Sequence, residues 1–238
     1  MTTTTPEAFE NRIAQIRASL VEQGRRVEAL CERAFESLFS GDADAGAAVE
    51  RDDDVIDRAD VEIEKASVQL LTQAARETVQ LEAKHLREVV TVVKVNNEFE
   101  RIADAAVAAV QSRNAGGGAS VTMPPTFRVM TNSVLGIIRD TTRSYERADG
   151  RLAKLTLDAE DTVATFKSII VKEAEERMAS GGLSVEAAFF LHEVAGLCER
   201  MADHCSNVAE QVLWTSTGTI VRHTGTGWVE VDGVKKDD

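Results

Sequence analysis

The chain has 238 residues, 43% apolar and 28% charged, with a formal net charge of −13. This is ordinary globular composition, enough for a sizeable core in one large or two small domains. The acidic balance argues against nucleic acid as a general partner, since the phosphate backbone is held chiefly by Lys and Arg, and it points to cations instead.

Aromatic residues make up only 5% and there are three prolines; with abundant Ala, Val, Leu and Glu this favours an all-α fold. From Pro6 the positions Phe9, Ile13, Ile16, Leu20, Val27, Leu30, Phe35 and Leu38 keep helical spacing up to Gly41. A second helical run, roughly 45–75, carries Ile56, Ile63, Leu70 and Ala74 on one stripe, and a third, roughly 79–114, carries Val95, Phe99, Ile102, Ala106 and Val110. Ala115 to Ser120 with Pro124 and Pro125 reads as a linker. The scheme then restarts with Phe127, Met130, Val134, Ile137 and Ile138, and continues through Leu155, Val163, Phe166, Ile169 and Ile170 to a break at Ser180-Gly181-Gly182. A last helix runs from about Ser184 to Trp214, with Glu186 placed to support its start. The expected organisation is two tandem three-helix bundle repeats at 7–114 and 126–216, a Gly/Pro linker at 115–125, and a tail at 217–238. Alternation around Trp228-Val229-Glu230-Val231 allows that tail a small β-ribbon or an irregular course.

Within this pattern Glu100-Arg101-Ile102-Ala103-Asp104 returns as Glu199-Arg200-Met201-Ala202-Asp203, 99 residues later. Positions i and i+4 of a helix differ by about 40° in azimuth, so each copy sets two carboxylates on one face. Asp53 and Asp57 form another such pair; with Glu100 and Asp104 they are centred on 78.5, inside the expected turn between the second and third helices. In an antiparallel hairpin all four should therefore stand level. In the second repeat Glu160, position 164, Glu199 and Asp203 centre on 181.5, at Gly181-Gly182. Glu199 and Asp203 point about 140° and 180° from the apolar seam through Val194 and Val212, so the acids face outward, a geometry suited to binding more than to chemistry in a closed cavity. Converging carboxylates repel one another, a bound cation relieves the repulsion, and oxygen-only donors suit hard ions.

Asp53 to Asp57, Phe99 to Asp104, Cys198 to His204 with Ser206-Asn207-Val208-Ala209-Glu210, and Gly218 to His223 together resemble the PhoU family of phosphate-uptake regulators. The resemblance spans roughly residues 7–223. It implies a six-helix fold and a non-enzymatic cytoplasmic regulator that restrains phosphate uptake and represses phosphate-starvation genes, working between a phosphate-specific ABC transporter and a sensor histidine kinase. It also implies metal ions at the repeated motifs: a multinuclear iron cluster, or Zn, Mn, Ni, Mg or Ca. Carried over by position, the ligands are Asp53, Asp57, Glu100 and Asp104 in the first repeat, and Glu160, Glu199 and Asp203 with neighbouring Asp161 in the second. Ala164 stands where the mirror of Asp57 would be, which makes the first set the better candidate, and His85 stands where the family tends to carry Asp. Because metal at a surface can bridge subunits, a homodimer is the expected assembly.

The remaining motifs have plainer readings. Cys31, Cys198 and Cys205 lie in apolar-periodic stretches without C-x-x-C spacing, as buried reduced thiols do. Residues 1–7 lack the basic and apolar regions of a signal peptide, and no run approaches the roughly 20 apolar residues of a spanning helix, so a cytoplasmic protein without membrane insertion is expected. Glu82-x-x-His85 has no second copy of the kind a di-iron bundle needs, and His204 beside Asp203 reads either as a metal neighbour or as a packing residue. The rival functions are a metal-dependent all-α hydrolase of nucleotides or polyphosphate, and a structural bundle without metal; the unpaired Glu7-x-x-Glu10 and Glu173-x-x-Glu176 lend the hydrolase little support.

Overall fold

The structure is a computed structural model that describes residues 5–114, 121–218, 220–224 and 227–231. Among the described residues six helices form: α1 (Pro6–Ser40), α2 (Ala43–Arg76), α3 (Ala83–Asn114), α4 (Pro125–Arg147), α5 (Gly150–Ala179) and α6 (Val185–Thr217). Part of the linker expected at 115–125, residues 115–120, lies outside the described residues, as do residues 219, 225–226 and 232–238 of the tail.

The helix ends follow from local chemistry. The Thr5, Asp42, Asp149 and Ser184 side chains accept backbone N–H groups of the first turns of α1, α2, α5 and α6. Pro6 and Pro125 sit where a missing N–H is harmless. Gly41 ends α1 at φ 71°, a left-handed conformation natural to glycine, with its N–H returned to the Ser37 carbonyl. The third helix starts later than the periodicity suggests, at Ala83. Thr78 takes φ 54° after α2, and the chain re-enters a helix only where the His85 ring accepts the Glu82 N–H through Nδ1. His85 is buried, stacks obliquely near Phe9, and meets Glu10 through Nε2 at 3.1 Å.

All six helices contribute to one apolar core. Each hairpin packs internally, and the two repeats join through α1 against α4 and α3 against α6. α2 touches α1 and α3, α5 touches α4 and α6, and both therefore flank a four-helix centre. The flanking helices need little apolar surface. α2 buries Val49, Ile56, Ile63 and Leu70, seven residues apart, and α5 buries Thr156, Val163 and Ile170 at the same interval. Each fully buried aliphatic side chain in such a seam is worth about 1.5–3 kcal/mol. An offset of 107 residues superimposes the two seams, Ile56 on Val163 and Ile63 on Ile170.

The tail forms an antiparallel ribbon of β1 (Ile220–Thr224) and β2 (Gly227–Val231), in register Val221 to Glu230 and Arg222 to Val229. It is tied back to α6 by the Arg222 guanidinium, which donates to the Glu210 carboxylate. No helix among the described residues is long and apolar enough to cross a membrane. All three cysteines are buried and unbridged, and burial pushes the Cys198 and Cys205 thiols up to about 12.

Gly24 of α1 packs closely against both α4 and α3. A Cβ there would lie 2.7 Å from Thr142 Oγ1 of α4 and 2.8 Å from the Phe99 ring of α3. Gly24→Val is therefore expected to destabilise the protein by about 2 kcal/mol through overpacking, which outweighs the better helix propensity of Val over Gly, measured as a lower urea midpoint with an unchanged m-value.

Candidate metal centre

The seam of α2 fixes where its acids point. With Ile56 buried against the centre, Asp60, Asp53 and Asp57 lie about 40°, 60° and 100° around the helix from it, all on one side. The Gln23 side chain reinforces that rotation by donating to the Ile56 carbonyl at 2.7 Å, a buried contact from α1 to α2. On α3, Glu100 and Asp104 follow the buried Phe99 and face the same groove.

Asp53 and Asp104, which the hairpin symmetry sets level, act on one another across the hairpin, whereas the α2 acid that acts on Glu100 is Asp60 and not the expected Asp57. Burial raises the Asp53 carboxyl to about 6, aided by repulsion from Asp57, Asp104 and Asp54. Burial likewise raises Glu100 to about 7, with repulsion from Asp104 and Asp60 and a hydrogen bond shared with Asp104. Asp53 thus feels Asp104, and Glu100 feels α2, across the hairpin. Asp53 and Glu100 are half-buried, while Asp57 and Asp104 are exposed at the rim.

Asp60 also belongs to this cluster. Burial raises its carboxyl, with contributions from Glu64 and Asp57, against the lowering effect of the Asn96 amide. Asn96 Nδ2 donates to the Asp60 carbonyl at 3.0 Å and to Oδ1 at 2.6 Å. The sequence held the signal: Asp60 continues the Asp53–Asp57 face by a further three residues.

The donor set fits a hard cation. All the acidic ligating atoms are oxygens, they repel one another, and Asp53 Oδ1 is buried without a hydrogen-bond partner. Among the described residues no group of three or more His, Cys, Asp or Glu is gathered tightly enough to hold an ion as the side chains lie. Coordination therefore requires the carboxylates to draw together, which a counter-charge between them favours.

The second repeat is built differently. Counted from buried Val163, Glu160, Ala164 and Lys167 occupy the azimuths that Asp53, Asp57 and Asp60 occupy about Ile56. Lys167 Nζ donates to Glu199 Oε2 across the hairpin. Glu199 is half-buried and Asp203 exposed, and Asp161 is exposed about 160° round α5 from Val163, away from the others. His204 is occupied elsewhere: Nδ1 lies 2.8 Å from Glu98 Oε2 on α3, and that oxygen also accepts from Asn207 Nδ2 at 3.2 Å. Here the packing reading of His204 prevails.

A model of the PhoU domain family matches residues 20–112 and 127–212, once in each repeat. The chain belongs to the PhoU family. It is 26% identical over 212 residues to the Thermotoga maritima phosphate-specific transport system accessory protein PhoU homolog 1, covering 88% of this chain and 89% of that one. Its identity to the Zymomonas mobilis PhoU homolog is 24% over 220 residues, covering 90% and 89%. The crystal structure of PhoU from Pseudomonas aeruginosa superimposes with a TM-score of 0.80 at 23% identity, over 89% of this chain and all of that one. That of the Streptococcus pneumoniae phosphate transport system regulatory protein PhoU gives 0.79 at 18% identity, over 90% and 99%. The tandem six-helix architecture is thus shared with solved structures.

Because Asp53 and Glu100 bind protons more tightly folded than unfolded, they favour the folded state at low pH and lose that contribution as pH rises to about 7. In metal-free protein, stability should fall by an amount on the order of 1 kcal/mol between pH 5 and 7.5 after allowance for solvent screening. The D53N/E100Q variant should show a flatter profile in thermal melts across that range.

Proposed function

We propose that this protein is a non-enzymatic regulator of phosphate uptake and phosphate-starvation signalling that takes up metal ions at the carboxylates of its first repeat. The observation that carries the reading is the α2–α3 groove, where Asp53, Asp57, Glu100 and Asp104 repel one another and Asp53 Oδ1 is buried without a partner. Family membership and the relatives' description as phosphate-specific transport accessory proteins support the regulatory half of the proposal. Asp53, Asp57, Glu100 and Asp104 would hold the ion, with Asp60 and Asn96 fixing the groove beside them. Iron and the other hard or borderline divalent ions are compatible with an all-oxygen donor set.

The partners proposed are a phosphate-specific ABC transporter and a sensor histidine kinase at the cytoplasmic face, with the regulator acting as a homodimer. Two long exposed hairpin surfaces on either flank of a rigid centre suit such a docking role. A half-exposed groove between two helices is poorly suited to enclosing a substrate, which disfavours the hydrolase reading.

The test is elemental analysis of the purified wild type and of D53N/D57N/E100Q/D104N, both after gel filtration without chelator, followed by co-purification of each with the phosphate transporter. Stoichiometric metal in the wild type and none in the variant is expected, together with weaker retention of the transporter by the variant. Equal metal content in the two proteins would refute the assignment of the first repeat.

A further inference from the structure

The two acidic sets follow the same pattern, yet the structure places opposite charges at one equivalent position. The 107-residue offset that superimposes the seams of α2 and α5 brings Asp53 onto Glu160, Asp57 onto Ala164 and Asp60 onto Lys167. The 99-residue offset of the third helix of each repeat brings Glu100 onto Glu199 and Asp104 onto Asp203. Lys167 is thus the counterpart of the acid beside Glu100, and its ammonium reaches the counterpart of Glu100 itself.

We propose, resting on the metal-binding reading above, that the second repeat is closed to metal from within: the Lys167 ammonium takes the cation's place against Glu199, and the chain carries metal in its first repeat alone. Three observations converge on this. Ala164 removes one of the four mirrored carboxylates. Lys167 converts a fifth acidic position into a fixed positive charge. The Lys167–Glu199 pair is only about one-third exposed, 29% and 35% for the two side chains, so solvent screens it less than a surface pair and a metal ion must break it to reach Glu199. An incoming divalent ion would also meet the ammonium's repulsion within a few ångströms. The first repeat differs: the position equivalent to Lys167 is Asp60, whose Oδ1 accepts from the neutral Asn96 amide, and Asp53 Oδ1 is buried without a hydrogen-bond partner. The consequence is functional asymmetry between repeats of similar fold, with α2–α3 as the metal-responsive flank and α5–α6 as a metal-independent one.

The experiment uses Mn2+ as the probe and the first-repeat variant D53N/D57N/E100Q/D104N as the background, so that any binding measured belongs to the second repeat. Equilibrium dialysis and thermal melts with and without about 1 mM Mn2+ are run on that background and on the same protein carrying A164D/K167D. The background should bind no Mn2+ and show no Mn2+-dependent rise in Tm, whereas A164D/K167D should bring bound Mn2+ to about one per chain with a Tm rise of several degrees. Stoichiometric Mn2+ in the background that E199Q abolishes would overturn the proposal, as would a folded A164D/K167D protein that binds no more than its parent. Should the added acids prevent folding, as circular dichroism would show, K167M on the same background decides: a Mn2+-dependent rise in Tm that its parent lacks supports the proposal, and identical responses overturn it. Failure of wild type to bind any metal would sink the first-repeat assignment, while the A164D/K167D comparison would still decide whether Lys167 closes the second repeat.

Discussion

A helix that buries one large residue in seven leaves most of its circumference free, and the chemistry of this protein depends on that narrow attachment. α2 is held by Val49, Ile56, Ile63 and Leu70, and α5 by a similar seam. The four-helix centre of α1, α3, α4 and α6 supplies the bulk of the core, so the flanking helices do not need a wide apolar face. Charged residues can then stand immediately beside the seam, half-desolvated, at the edge of a rigid groove. Had α2 packed by a broad stripe, Asp53 and Asp60 would have fallen among core positions, where an unpaired carboxylate is far more costly.

Half-burial sets the electrostatic character of that groove. A fully exposed cluster of acids would be screened by water and salt, and a fully buried one would be neutral. Asp53 and Glu100 lie between these limits: desolvation is the largest influence on each, and neighbouring carboxylates add to it. The result is a region of concentrated negative charge that a proton relaxes, and that on the proposed function a cation would relax as well. The second repeat relaxes by a third route, an ammonium carried on its own helix. The two hairpins share one seam geometry, and different residues at two positions of α5, Ala164 and Lys167, change the charge that geometry presents.

Much of this was legible in the sequence because it rests on helical periodicity and on symmetry about a turn. The start and end of α1, the break before α6, and the level placement of Asp53 opposite Asp104 follow from spacing, capping residues and glycine, all of which act over a few residues. The later start of α3 was not legible, because Thr78 and the ring of His85 reshape the turn through contacts that depend on α1, Glu10 among them. Asp60 was available from its i+3 spacing to Asp57, but its place in the cluster becomes evident only with Asn96 beside it. His204 had two readings, and the choice fell to Glu98, a residue 106 positions away on α3.

The sequence by itself determined an all-α chain of two repeats with paired carboxylates on matching faces, because helix phase and hairpin register are local and additive properties. Only the tertiary structure decided how the two repeats share one core through α1–α4 and α3–α6, how deeply each acid is desolvated, and that Lys167 meets Glu199. Those outcomes depend on long side chains and on helices brought together from distant parts of the chain, and a periodic pattern carries no information about which rotamer reaches across a groove.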